Sequence, residues 1–170
     1  IEPIDIITLG TYLQELKNNV RFLDMDCKKL NCSDLIKYIE NEFMPDMVIV
    51  SYDYHIPLHT QKALENIAKI CKELKKYNIK TIMIGKTVTY DPKIIDVIKF
   101  DIGIIGETEN TIKNLLNSNI NNVKDLSMIK GIGILATDMI IPIKIPRIIG
   151  LVAIPFKDFF NPALSSPVLP

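Results

Sequence analysis

The sequence has few cysteines, and their arrangement excludes two kinds of structure. The chain contains Cys27, Cys32 and Cys71, which are scattered and form no metal-ligand pair. An odd number of cysteines also argues against a disulfide framework of the kind found in small secreted proteins. The cysteine content therefore favours a cytoplasmic protein.

The chain also lacks net charge and long apolar runs. Lys and Arg number 20 and Asp and Glu number 20, so no global field attracts nucleic acid or an anionic membrane. No apolar run reaches the length of about 20 residues that spans a bilayer, and the N-terminus does not resemble a signal peptide. The sequence predicts a soluble protein with a local binding site. The first residue is not Met, from which we expect a native start upstream.

Helical and strand patterns alternate over the first 117 residues, and the 48% hydrophobic content suits one sizeable core. Apolar spacing and continuous apolar runs distinguish helices from buried strands. Helices are predicted over 4–18, 33–43 with Ser33 as the cap, 58–77, 92–100 and 110–117, and strands over 20–24, 47–51, 80–84 and 102–105. Because crossovers between parallel strands are right-handed, this order predicts an α/β fold with helices on both faces of a parallel sheet.

The pattern changes after residue 117. Residues 131–136 and 139–144 resemble the two strands of a β-hairpin, and six prolines follow from position 142 onward. Prolines at this density disfavour a compact regular element. We expect an α/β domain of residues 1–128 and, over residues 129–170, a C-terminal β-hairpin with an extended proline-rich arm. An arm of this kind is typical of a connector within a longer polypeptide.

The turn after the last predicted parallel strand carries the features of a binding loop. Gly106 ends the strand, and Glu107, Thr108 and Glu109 lead into the next helix. A glycine at a strand end and polar residues at a helix start can form a backbone-lined rim for a ligand. Because the turns after parallel strands meet at one edge of the sheet, we expect this turn to lie near the turns that follow residues 51 and 84.

Five segments of the chain resemble the motifs of one family, in the same order and at the same spacing. Residues 3–13 and 20–24 resemble a P-L-G-L-x-Y-L-A-x-Y-L helix followed by a strand ending in Asp, and residues 49–51 resemble the third strand of the family. Residues 84–89 resemble a G-G-P-H-x-T turn, and residues 106–111 resemble a G-E-x-E-x-T turn. Residues 129–132 and 154–156 resemble a hairpin and an I-P-F-P segment. Together they cover nearly the whole chain. The chain thus resembles the N-terminal cobalamin-binding domain of radical S-adenosylmethionine (radical SAM) enzymes.

The resemblance implies a Rossmann-like (flavodoxin-like) doubly wound parallel sheet with strand order 2-1-3-4-5. In the family, the first and central strand precedes the helix with which this chain begins. We therefore expect an N-terminally incomplete domain with a gap in the middle of the sheet. The C-x-x-x-C-x-x-C run that holds a 4Fe-4S cluster is also absent. The cluster, S-adenosylmethionine and the radical SAM barrel are therefore expected only in a catalytic domain outside this chain.

The resemblance also implies that the nucleotide tail of cobalamin inserts between three turns. Ser51 would hydrogen-bond the buried base or its sugar, and Gly85 would let the tail approach the backbone. The residues implied in cofactor binding are Ser51, Tyr52, Asp53, Gly85, Lys86, Thr89, Gly106, Glu107 and Thr108. No catalytic residue and no protein metal ligand is expected, so the parent enzyme supplies the catalysis.

Other interpretations of these residues stay open. The glycines can serve tight turns alone, Glu107 can favour a helix N-terminus, and an isolated His55 is commonly solvated. Lys86 replaces the second glycine of the family turn and could block the tail channel. The alternative is therefore a degenerate structural domain that binds no cobalamin. A receiver-like domain is disfavoured because Ser51 stands where a phosphorylatable Asp belongs, and a dinucleotide-binding domain because no glycine-rich phosphate loop is present.

Overall fold

The computed structural model describes residues 4–25, 28–51, 57–118, 123–134 and 148–153. The helices in these ranges are α1 (Ile4–Glu15), α2 (Cys32–Asn41), α3 (Pro57–Lys76), α4 (Lys86–Tyr90), α5 (Ile94–Ile98), α6 (Thr108–Asn117) and α7 (Val123–Ser127). The strands are β1 (Asn19–Asp24), β2 (Met47–Ser51), β3 (Lys80–Ile84), β4 (Ile102–Ile104), β5 (Ile132–Ile134) and β6 (Ile148–Ala153).

These strands form one sheet in the order β1-β6-β2-β3-β4-β5. Every neighbouring pair from β1 to β4 is parallel, and β5 is antiparallel to β4. The prediction that β2, β3 and β4 are adjacent parallel strands is confirmed. The fold is a Rossmann-like α/β fold dominated by its parallel sheet, as the sequence pattern predicts.

The centre of the sheet contains β6, the last described strand in the sequence. Gly150 pairs with Arg21 of β1 on one side and with Val48 of β2 on the other. The expected gap in the middle of the sheet was wrong, because β6 lies in the position where the family has its first strand. Residues 148–153 read I-I-G-L-V-A, a composition that suits a buried strand, although the prolines on either side favoured an extended arm.

The predicted C-terminal hairpin is described only in part. Residues 132–134 form β5, which pairs antiparallel with β4. Residues 139–144, the predicted second strand, lie outside the described residues, as do residues 154–170 of the predicted arm.

Both faces of the sheet are covered by helices, as the packing of the β2 side chains shows. Met47 and Ile49 pack in one apolar cluster with α1 and α6, whereas Val48 and Val50 pack in a second cluster with α2, α3 and α5. All four side chains are at most 1% exposed. Alternate residues of a strand point to opposite faces, so a strand covered on both sides must be apolar throughout. This explains the continuous apolar run in the sequence.

The cap of α2 and the short helix α4 are among the local features that differ from the sequence prediction. Asn31, not Ser33, caps α2: its Oδ1 accepts hydrogen bonds from the backbone N–H groups of Ser33 and Asp34 at 2.8 and 3.2 Å. Asp34 Oδ2 accepts the Asn31 N–H in return, which completes a capping box. The other feature is α4, which the sequence did not predict because five residues are too few to show a helical period.

A buried carboxylate joins β3 to β4 at the amino edge of the sheet. Asp101 Oδ2 accepts hydrogen bonds from the Thr81 N–H and from Thr81 Oγ1, each at 2.7 Å, and Asp101 N–H donates to Thr81 Oγ1 at 3.2 Å. The Nζ atoms of Lys75 and Lys80 lie 3.6 and 3.8 Å from Asp101 Oδ1. Burial, together with the nearby Asp101 charge, raises the pKa of the Cys71 thiol to about 12. Cys71 is therefore a neutral core residue.

Candidate functional site

The carboxyl ends of four parallel strands lie in one row. Ser51, at the end of β2, pairs with Ile84 of β3 and with Ala153 of β6, and Ala153 pairs with Asp24 of β1. The turns that follow these strands must therefore begin at the same edge of the sheet. In open parallel sheets this is the edge at which ligands bind.

A cleft with a volume of about 390 Å³ opens at this edge. Its lining residues are Thr8, Ser51, Ile84, Gly85, Lys86, Thr89, Tyr90, Gly106, Glu107, Thr108 and Glu109. Ligand pockets commonly measure about 300–1,000 Å³. The cleft is thus large enough for a small polar ligand or for one end of a larger cofactor.

Seven of the nine site residues predicted from the sequence line this cleft. They are Ser51, Gly85, Lys86, Thr89, Gly106, Glu107 and Thr108. Tyr52 and Asp53 lie outside the described residues, and so does His55. The structure therefore places parts of three predicted turns around one space, while ligand contact by these residues stays a prediction.

Four of the lining residues, Thr8, Ile84, Tyr90 and Glu109, are not among the predicted cofactor-binding residues, although Glu109 belongs to the predicted binding loop. Thr8 lies in the N-terminal half of α1, and the start of a helix in this fold lies at the same edge as the strand ends. That rule could have indicated Thr8. Tyr90 lies four residues after Lys86 on α4 and is 81% exposed at the rim. No sequence pattern indicated Tyr90, because α4 itself was not predicted.

The two glycines of the cleft are there for different structural reasons: one is required by the backbone conformation, and the other leaves space beside the backbone. Gly85 has φ 110° and ψ −176°, a backbone conformation that is essentially restricted to glycine. The turn after β3 therefore requires Gly85 whether or not a ligand is bound. Gly106 has φ 82°, and a Cβ built there would meet no atom within 4 Å. The space beside Gly106 is open, so a ligand can reach the backbone.

Hydrogen bonds connect the turns that form the cleft walls. Thr89 Oγ1 donates to the carbonyl oxygen of Gly85 at 3.0 Å and accepts the Gly106 N–H at 3.1 Å. Thr111 Oγ1 donates to the carbonyl oxygen of Glu107 at 2.7 Å. The Thr89 hydroxyl thus links the two turns, whereas the Thr111 bond is local to the start of α6.

The cleft lining is about equally polar and apolar, and it carries charges of both signs. Lys86 and Glu107 are exposed at its rim, Glu109 is half-buried, and Ser51 and Thr89 contribute hydroxyl groups. Across the described ranges, no three His, Cys, Asp or Glu side chains are grouped closely enough to hold a metal ion. The lining therefore suits hydrogen bonding to a polar ligand.

A comparison with protein families identifies the domain. The family model described as the B12 binding domain matches residues 1–116, which is more than half of the chain and includes every residue that lines the cleft. The chain belongs to the B12-binding domain family. Comparisons with curated proteins and with solved structures gave no match. In the described part of this B12-binding domain, the helices are too short or too polar to cross a membrane.

The cleft of the B12-binding domain fits the narrow end of its cofactor. The nucleotide tail of cobalamin consists of a flat base, a ribose and a phosphate, which need an open path and hydrogen-bonding groups. Gly106 leaves the path open, and Ser51 offers a hydroxyl group beside it. A volume of about 390 Å³ is of the order needed for one end of such a cofactor.

Proposed function

We propose that the chain binds cobalamin, with the dimethylbenzimidazole nucleotide tail in the cleft at the carboxyl edge of the sheet. The observation that carries this proposal is the convergence of Ser51, Gly85 and Gly106 on one cleft within the region matched by the B12-binding domain family. The Ser51 hydroxyl would hydrogen-bond the base or the ribose, and the Gly106 backbone would border the tail. Thr108, in the first turn of α6, would face the polar part of the tail.

The bound corrinoid would supply a cobalt centre that carries a methyl group or an electron. The residues of this chain have a different task, which is to hold the tail and thereby orient the corrin at the mouth of the cleft. Because the lining is partly polar and open to solvent, binding would depend on hydrogen bonds as well as on apolar contact.

We further propose that the domain serves a radical SAM enzyme, a methyltransferase or a related enzyme, located in the cytoplasm. The five motif segments in their common order support this partnership. In that arrangement, a barrel in the same polypeptide holds the 4Fe-4S cluster and S-adenosylmethionine, and the corrinoid faces that barrel. The chain alone is then a cofactor module and not a catalyst.

A degenerate domain that binds no cobalamin is the second candidate, and Lys86 is the observation that favours it. Lys86 lines the cleft at the position where the family turn has its second glycine. A Lys86→Gly variant reveals the role of the side chain. Stronger cobalamin binding by the variant would indicate that the lysine obstructs the tail, and weaker binding would indicate pairing with the cofactor phosphate.

Titration with hydroxocobalamin tests the proposed function. We expect a shift of the visible absorption spectrum and co-elution of corrinoid with the protein on gel filtration at about 100 μM cofactor, well above an ordinary cofactor affinity. Absence of both would remove cobalamin binding as the function and leave the structural candidate.

Two variants of Gly106 locate the binding site. Both Gly106→Ala and Gly106→Trp place an L-residue at the same positive φ, so both carry a similar backbone strain. Only tryptophan fills the open space beside residue 106. We expect Gly106→Trp to weaken hydroxocobalamin binding by about tenfold or more, equivalent to about 1.4 kcal/mol, relative to Gly106→Ala. Equal affinities of the two variants would place the cofactor elsewhere.

A further inference from the structure

Thr89 links two walls of the cleft that are far apart in the sequence. Its hydroxyl donates to the carbonyl oxygen of Gly85, four residues earlier, and accepts the N–H of Gly106, which is 17 residues later. A threonine hydroxyl has one hydrogen to donate and lone pairs to accept, so both bonds form at once. Through one half-buried side chain, the turn after β3 is thus connected to the turn after β4.

Gly106 depends most on this link because it has no side chain to anchor it, whereas the Gly85 carbonyl oxygen also accepts the Thr89 backbone N–H at 3.3 Å. Gly106 is exposed and has a positive φ, and no atom lies near the position of its missing Cβ. The neighbouring Ile105 N–H is held from the other side by the carbonyl oxygen of Gly131 at 2.7 Å. Consecutive N–H groups are therefore held by different elements, and the direction of the Gly106 N–H is set by Thr89.

We propose that Thr89 is a positioning residue, which fixes the spacing of the Gly85 and Gly106 walls and thereby sets the affinity of the cleft for its ligand. This proposal rests on the proposed cobalamin function. The hydroxyl of Thr89 acts through the two backbone groups it holds and not through a bond to the cofactor, because its donor hydrogen is already used by Gly85.

A simpler role for Thr89 would be to stabilise α4 alone. Threonine in a helix commonly donates to the carbonyl oxygen four residues earlier, and α4 would use the Gly85 bond in that way. The bond from Gly106 is not explained by this role, since it joins a separate turn. The two roles predict different results when the hydroxyl is removed.

The test compares Thr89→Val, which keeps the size of the side chain and removes the hydroxyl, with Thr89→Ser, which keeps the hydroxyl. Hydrogen exchange of the Gly106 amide, measured by NMR without cofactor, reports whether the hydrogen bond from the Gly106 N–H to the Thr89 hydroxyl is formed. Titration with hydroxocobalamin reports the effect of that hydrogen bond on the affinity for cobalamin. We expect Thr89→Val to accelerate exchange and weaken binding by about fivefold each, the size of one hydrogen bond, and Thr89→Ser to stay within about twofold of the original protein. Thr89→Ala is a second hydroxyl-free variant for the case that the valine variant does not fold.

The possible outcomes separate this proposal from the function on which it rests. No binding by the original protein would overturn the cobalamin function. Binding by the original protein and equally tight binding by both hydroxyl-free variants would overturn the positioning role alone. Weaker binding with unchanged Gly106 exchange would also overturn it, because the hydroxyl would then contact the cofactor directly.

Discussion

Replacing Gly150 with proline should lower the free energy of unfolding by about 3 kcal/mol or more, the largest loss that we expect from a single substitution. Gly150 lies within β6, with β1 on one side and β2 on the other. Proline has no N–H for the ladder and is almost never found inside a central strand. Because a domain of this size is stabilised by only about 5–15 kcal/mol, much of that stability should be lost. Urea unfolding followed by circular dichroism measures the change.

Asn19→Pro is the matched control for this prediction. Asn19 is exposed and is the first residue of β1, at the edge of the sheet, a position at which proline is tolerated. We expect a much smaller change in the urea midpoint than for Gly150→Pro. Equal midpoints for the Gly150→Pro variant and the original protein would mean that β6 is not the central strand of the folded chain.

Replacing Asp101 with alanine should lower the free energy of unfolding by about 3 kcal/mol. The Asp101 side chain is 7% exposed and accepts two hydrogen bonds from Thr81. Its removal leaves the buried Thr81 N–H without this acceptor, and it also removes the carboxylate that lies near Lys75 and Lys80. A buried donor that loses its partner costs more than the bond itself contributed. Thermal and urea unfolding measure this loss.

Asp96→Ala provides the control for Asp101, since Asp96 is an exposed carboxylate on α5. We expect its unfolding midpoint to change little, as is usual for exposed positions. If Asp101→Ala were as stable as Asp96→Ala, the buried network at the β3–β4 junction would not contribute to stability.

The parallel strands could be predicted because their burial determines their composition. Met47 and Ile49 face one helical layer and Val48 and Val50 the other, so the run had to be apolar at every position. The position of β6 could not be predicted in this way. Its partners Arg21 and Val48 are about a hundred or more residues away in the sequence, and periodicity contains no information about such distant pairing.

The candidate site likewise contains features that could be predicted from the sequence and features that could not. Gly85 and Gly106 were predicted because glycine at a strand end has a conformational cause, and both have positive φ in the structure. Thr89 was predicted to take part in cofactor binding, but its bond to Gly106 joins two turns that no local pattern relates. Tyr90 and Thr8 come from helix positions that reach the cleft only through tertiary packing.

A comparison of cobalamin with cobinamide, the corrinoid that lacks the nucleotide tail, tests the central claim most directly. Both share the corrin ring, and only cobalamin has the nucleotide tail that we propose to lie in the cleft. Equilibrium dialysis of the chain against each compound gives the two dissociation constants. The structure predicts that cobalamin binds at least about tenfold more tightly, a difference of about 1.4 kcal/mol. Equal affinity for the two corrinoids, or no affinity for either, would contradict a tail-binding cleft between Ser51, Gly85 and Gly106.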